Sequence, residues 1–115
     1  MEQHMSRFDL TVKYSLNGLA DGWTDEHYLT FKAFEGKDSL DAGDEIKTVD
    51  EGDERGYEKV FTKYLKQQFI GGKVLVNGET VDAEEEDIGY LPNSAKTEMF
   101  LLVSRSRFSD PKALR

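Results

Sequence analysis

The chain has no cysteine among its 115 residues, which excludes disulfides and thiol catalysis. Histidine is nearly as scarce, with only His4 and His27 available as imidazoles. Neither lies in a Ser or Cys nucleophile pattern. His27, flanked by Asp25 and Glu26 at the start of an apolar alternation, reads as a structural residue. Positive charge is also short: 15 Lys and Arg face 23 Asp and Glu, for a net charge of −8. Such a balance argues against nonspecific nucleic-acid binding and against docking on anionic lipid. No apolar run approaches the roughly 20 residues of a membrane span, and no signal-peptide core is found. The expectation is a cytoplasmic protein that engages neither membrane nor nucleic acid.

What is there amounts to one ordinary domain, with 37% apolar residues that include seven Phe and five Tyr. Its organising stretch is Arg55–Gly72. Tyr57, Val60, Phe61, Tyr64, Leu65 and Phe69 fall at helical spacing, while Lys59, Lys63, Lys66 and Gln67 fill the opposite face. Asp53, Glu54 and Glu58 suit the positive end of a helix dipole, and Gly71-Gly72 suit a C-cap.

Before that helix, Phe8, Leu10, Val12, Tyr14 and Leu16 alternate with polar residues, the period of a strand with one buried face. A second strand is expected at His27–Phe34, with Leu29, Phe31 and Ala33 on one face and Tyr28, Thr30, Lys32 and Phe34 on the other. Together they predict an antiparallel hairpin with Trp23 in its loop as a lid on the core. Glu35–Glu54 carries nine acids and two lysines and predicts an exposed acidic loop, with Asp44–Val49 as a short edge strand. Asn77-Gly78 within Lys73–Val81 predicts a second, short hairpin. Asp82 is positioned to cap a helical turn begun by Glu84, Glu85, Glu86 and Asp87. A last helix is expected over Ala95–Ser104, with Met99, Leu102 and Val103 inward and Lys96 and Glu98 outward. The apolar run Met99–Val103 also fits a buried strand. The fold class is α+β, in a single domain over residues 8–108 between disordered segments 1–7 and 109–115.

No arrangement of residues specifies a catalytic, metal or cofactor site. The acids of Asp38–Asp44 and Asp50–Glu54 satisfy no register of the calcium-binding EF-hand loop. Gly71-Gly72-Lys73 lacks the spacing and the Ser/Thr of a phosphate loop. Paired carboxylates are too numerous to single out one pair for acid–base work. A non-enzymatic protein without cofactor is the expectation.

From Tyr64 onward an amphipathic helix leads to an aromatic-x-Gly step, a hairpin ending in NGE-V, an acidic segment, Leu-Pro and a final apolar helix. The residues are Phe69, Gly71, Asn77, Gly78, Glu79, Val81, Glu86, Asp87, Ile88, Leu91 and Pro92. This layout resembles the small tail assembly chaperones and tail-completion proteins of long-tailed bacteriophages. The resemblance implies a non-catalytic phage protein acting in the host cytoplasm, alone or as a homo-oligomer. It would bind the helical tape-measure protein, or tail-tube subunits, during tail assembly. Trp23, Tyr28, Phe34 and Tyr90 are the large residues that the core does not obviously need, and they are the expected partner surface. Two other readings stay open. In one, the acidic stretches, Glu84–Asp87 among them, mimic nucleic acid in a small inhibitor or anti-defence protein. In the other, the chain is a ubiquitin-like interaction module, favoured if Met99–Val103 is a strand beside the first hairpin.

Overall fold

The computed structural model describes residues 10–104; the expected disordered segments 1–7 and 109–115 lie outside the described residues. Within them the fold is α+β. Strands β1 (Thr11–Ser15) and β2 (Tyr28–Lys32) precede helices α1 (Gly36–Lys47) and α2 (Glu54–Gln68). Strands β3 (Phe69–Val76) and β4 (Glu79–Asp82), a 3-10 turn (Glu85–Tyr90) and helix α3 (Asn93–Ser104) follow. The strands form one antiparallel sheet in the order β1-β2-β3-β4, so the second hairpin joins the first through β2 and β3.

The period-two reading of the first hairpin holds where the core is concerned. Leu29 and Phe31 are fully buried, Val12 and Tyr14 pack beside them, and Lys13 and Thr30 pair on the other face. A bulge continues this face into β3. Thr30 pairs with Gly71 and Phe31 with Phe69, so Ile70 is the extra residue. The bulge reverses the alternation, returning Phe69 to the core, edge-on to Phe31 at 6.2 Å, and leaving Ile70 54% exposed. In the β3–β4 turn, Asn77 and Gly78 both have positive φ (52° and 82°), as a two-residue type I′ turn requires.

Helix α2 packs the expected stripe. Tyr64 and Leu65 are buried, Val60 and Phe61 line the core, and Lys59, Lys63 and Gln67 face out. Asp53 caps its start by accepting from the Gly56 amide at 3.0 Å. Its end differs from the expectation. The helix stops at Gln68, and Gly71-Gly72 are strand residues, not a C-cap. Gly72 is needed for another reason: at φ +156° it lies against β2, where a Cβ would overlap the carbonyl oxygen of Tyr28.

Two further elements depart from the sequence reading. The acidic stretch after Phe34 is a helix, α1, not a loop with an edge strand at Asp44–Val49. Glu35 and Asp38 form a reciprocal capping box at its start, Lys37 pairs with Asp41 one turn on, and Ala42 and Ile46 pack against the core. The later turn begins at Glu85 with Glu84 as its cap, so Asp82 is instead the last residue of β4, paired with Lys73.

Met99–Val103 is helical, as the first reading of that stretch had it, which removes the strand that would favour a ubiquitin-like module. Met99, Phe100 and Val103 are buried, but so is Lys96, which the sequence placed outward. Phe34 is a correction of the same kind. Strand β2 ends at Lys32, so period two no longer applies, and Phe34 is 3% exposed between Tyr64 and Phe100. Its amide donates to the Val103 carbonyl at 2.8 Å, fixing the chain after β2 to α3.

Candidate functional site

The eight residues singled out from sequence do not converge. Phe34 is core and unavailable to a partner. Trp23 is half-buried, packed on the core as the lid reading expected, with its ring edge-on to His27 at 5.2 Å. Tyr28 lies on the sheet face away from the helices, with the Lys13 ammonium 4.4 Å above its ring. Tyr90, at the end of the 3-10 turn, is 88% exposed. Asp87 is partly spent on structure, accepting from the Glu84 amide at 2.7 Å, whereas Glu85 and Glu86 are exposed.

His27 is held as a structural residue. The Thr24 amide donates to its Nδ1 at 2.9 Å, so that nitrogen carries no proton and Nε2 donates to Thr80 Oγ1 at 2.9 Å. This ties the β1–β2 loop to β4. Among the described residues no three or more His, Cys, Asp or Glu side chains are grouped to hold a metal, and no buried side-chain N or O lacks a partner. No helix among them is long and apolar enough to cross a membrane.

The arrangement that stands apart is a groove of about 330 Å³ where the first turns of α2 and α3 meet. Helix α2 contributes Glu54, Tyr57, Glu58 and Phe61; α3 contributes Asn93, Ser94, Lys96 and Thr97. Their spacing is that of one face on each helix, i, i+3, i+4 and i+7 on α2 and i, i+1, i+3 and i+4 on α3. Phe61 forms the floor. It stacks on Phe100 at 4.4 Å with the rings 26° apart, and Tyr57 lies beside it at 6.4 Å.

Beneath the groove Lys96 and Glu58 make an ion pair, with side chains 3% and 27% exposed. The Lys96 ammonium also donates to the Gly89 carbonyl at 3.1 Å, which fastens the 3-10 turn to both helices. Glu58 accepts a second bond from the Thr62 hydroxyl at 2.9 Å. Lys96 first, and Thr62 after it, hold the Glu58 carboxyl below its ordinary value. Glu54, one turn earlier, is exposed, and among the described residues no hydrogen bond or ion pair holds its side chain.

None of the groove residues was singled out by the sequence as a partner site. One signal was present: Lys96 falls at i, i+3, i+4 and i+7 with Met99, Phe100 and Val103, at the N-terminal start of an apolar face. A lysine there is either buried and paired or near a functional cleft. A family-model scan, a comparison with curated proteins and a comparison with solved structures all found no match to this chain.

Proposed function

We propose that the protein is a non-catalytic binding protein that holds a segment of a larger protein partner in the α2–α3 groove. The observation that carries this reading is the Tyr57–Phe61 surface. Two aromatic rings remain half-buried beside an open groove although the core beneath them is already closed by Phe100. Partly exposed aromatics over a packed floor are what an inserted side chain buries at the centre of an interface. The ionisable groups nearest the floor support the same reading: Lys96 and Glu58 neutralise one another, and His27, elsewhere, has both ring nitrogens engaged.

The resemblance to tail assembly chaperones gives this partner a candidate identity, the long helical tape-measure protein or a tail-tube subunit. A helix laid across the first turns of α2 and α3 can place one anchor in the groove. Exposed Tyr90 belongs to the turn that Lys96 ties to these helices.

The test is affinity capture from the source cells on the immobilised full chain, with washing at about 0.5 M salt, which screens exposed charge pairs. A long, helix-rich protein retained by the wild type and lost by Tyr57→Ser supports the reading. Equal retention by Tyr57→Ser moves the binding surface elsewhere. A nucleic-acid enzyme captured at low salt and lost in the wash would support the acidic-inhibitor reading instead.

A further inference from the structure

We infer that the α2–α3 groove is built to receive a basic side chain, an arginine or lysine of the partner, with its head group at Glu54. This rests on the groove being the docking site and adds the chemistry of the occupant. The lining holds two carboxylates, Glu54 and Glu58, and one ammonium, Lys96. The ion pair cancels Glu58, so among the described residues Glu54 is the one carboxylate of the lining without an ion-pair partner.

The walls also match such an occupant. The stem of a basic side chain is apolar and its head is cationic, and the groove supplies both halves. Tyr57 and Phe61 offer ring surface for the stem and for a cation–π contact. Glu54 lies one turn N-terminal to Glu58, at the open end of the same α2 face. On the α3 side the hydroxyl of Thr97 already donates its proton to the Asn93 carbonyl at 3.0 Å. What it has left for a ligand is lone pairs, which suit a donor-only group such as guanidinium. A volume of about 330 Å³ is at the small end of ligand sites, roughly 300–1,000 Å³, and fits one anchoring side chain, not a whole helix.

The test is a titration of the full-length ¹⁵N-labelled protein with N-acetyl-arginine amide, in parallel with N-acetyl-norleucine amide, its uncharged apolar counterpart. The arginine compound should shift the amides of Glu54, Tyr57 and Thr97, with norleucine binding more weakly. Glu54→Gln should lower the arginine affinity by about two- to fivefold, the weight of one partly exposed charge pair, and Glu54→Asp should restore part of it. Glu54 lies on an exposed first turn, so an unchanged spectrum of the free variant verifies its fold. Norleucine binding as well as arginine would overturn the basic-occupant inference and leave the docking site standing. The inference also falls if neither compound moves those amides, or if Glu54→Gln binds arginine as the wild type does. Failure of the docking site itself is read separately, from partner capture by Tyr57→Ser.

Discussion

The ammonium of Lys96 on α3 is sunk against the carboxylate of Glu58 on α2, and this pair, beside the Phe61–Phe100 stack, joins the two helices that form the groove. Lys96 is almost fully enclosed whereas Glu58 reaches solvent, so the two are unequal in what their loss leaves behind. Glu58→Leu strands a buried ammonium with only the Gly89 carbonyl to satisfy it. Its cost should reach about 3 kcal/mol, near the figure for breaking a buried pair from one side. Lys96→Met frees a carboxylate that water can reach and should cost less. The double variant should recover most of the loss, because an apolar pair of similar volume needs no desolvation. Urea unfolding of the four proteins gives the cycle. Additive single losses would mean that the pair is not a coupled unit.

The same pair sets an acid dependence. Lys96, and then Thr62, hold the folded-state carboxyl of Glu58 below its ordinary value, and the unfolded chain returns it there, at about 4.3. The stabilisation is therefore complete above the unfolded value and is lost as pH falls through the lowered folded value. Between pH 7 and pH 3 the melting temperature of Glu58→Gln should fall less steeply than that of the wild type. Parallel acid limbs would remove Glu58 from the account.

At the alkaline end two of the five tyrosines should ionise last. Tyr64 is pushed up to about 12 by donating to Glu45 at 2.5 Å and then by burial. Tyr14 is pushed up to about 12 chiefly by burial, aided by its bond to Glu98 at 2.6 Å. Both shifts are upward, so their stabilisation is present below about pH 10, the unfolded value, and is lost as pH rises through the folded one. Tyrosinate absorbance followed against pH should show two late groups, and Tyr64→Phe should remove one of them.

Two adjacent glycines separate what the sequence showed from what only the fold could show. Gly72 is at positive φ against the β2 backbone, while nothing lies within 4 Å of a Cβ placed on Gly71. Gly72→Ala should cost more than about 2 kcal/mol through strain and overlap, and Gly71→Ala should be neutral or stabilise by about 0.5 kcal/mol. Chemical denaturation of both variants distinguishes them. Equal losses would mean that the β2–β3 contact is wrong.

The legible parts of the fold were those where one local pattern dominated. The α2 stripe, the alternation of β1 and β2 and the Asn77-Gly78 turn are each fixed by near neighbours, and each was read in place. Helix α1 was missed because its buried face is thin. Ala42 and Ile46 carry it, Leu40 is 72% exposed, and Gly36 and Gly43 read as breaks. The Glu35–Asp38 capping box lacks the Ser or Thr and the Glu or Gln by which such a box is read from sequence. The groove was illegible for another reason. It exists only where two helices, separated by a hairpin and a 3-10 turn, bring their first turns together, and no local period reports that.

Phe34 tests this distinction between local and tertiary signals most directly. By period two it should sit on the open sheet face with Tyr28 and serve a partner. In the fold it is 3% exposed, edge-on to Tyr64 at 5.8 Å and to Phe100 at 5.7 Å. Phe34→Ala should therefore cost about 3–5 kcal/mol, the price of truncating a buried aromatic. Its amide bond to the Val103 carbonyl survives the substitution, so the loss reports packing alone. Tyr28→Ala, on the open face, should cost under about 1 kcal/mol beyond its contact with Lys13. Partner capture below the melting temperature adds the functional half. A folded Phe34→Ala protein should still bind, since Phe34 does not line the groove. A stable Phe34→Ala variant that fails to bind would reverse the assignment and return Phe34 to the interface.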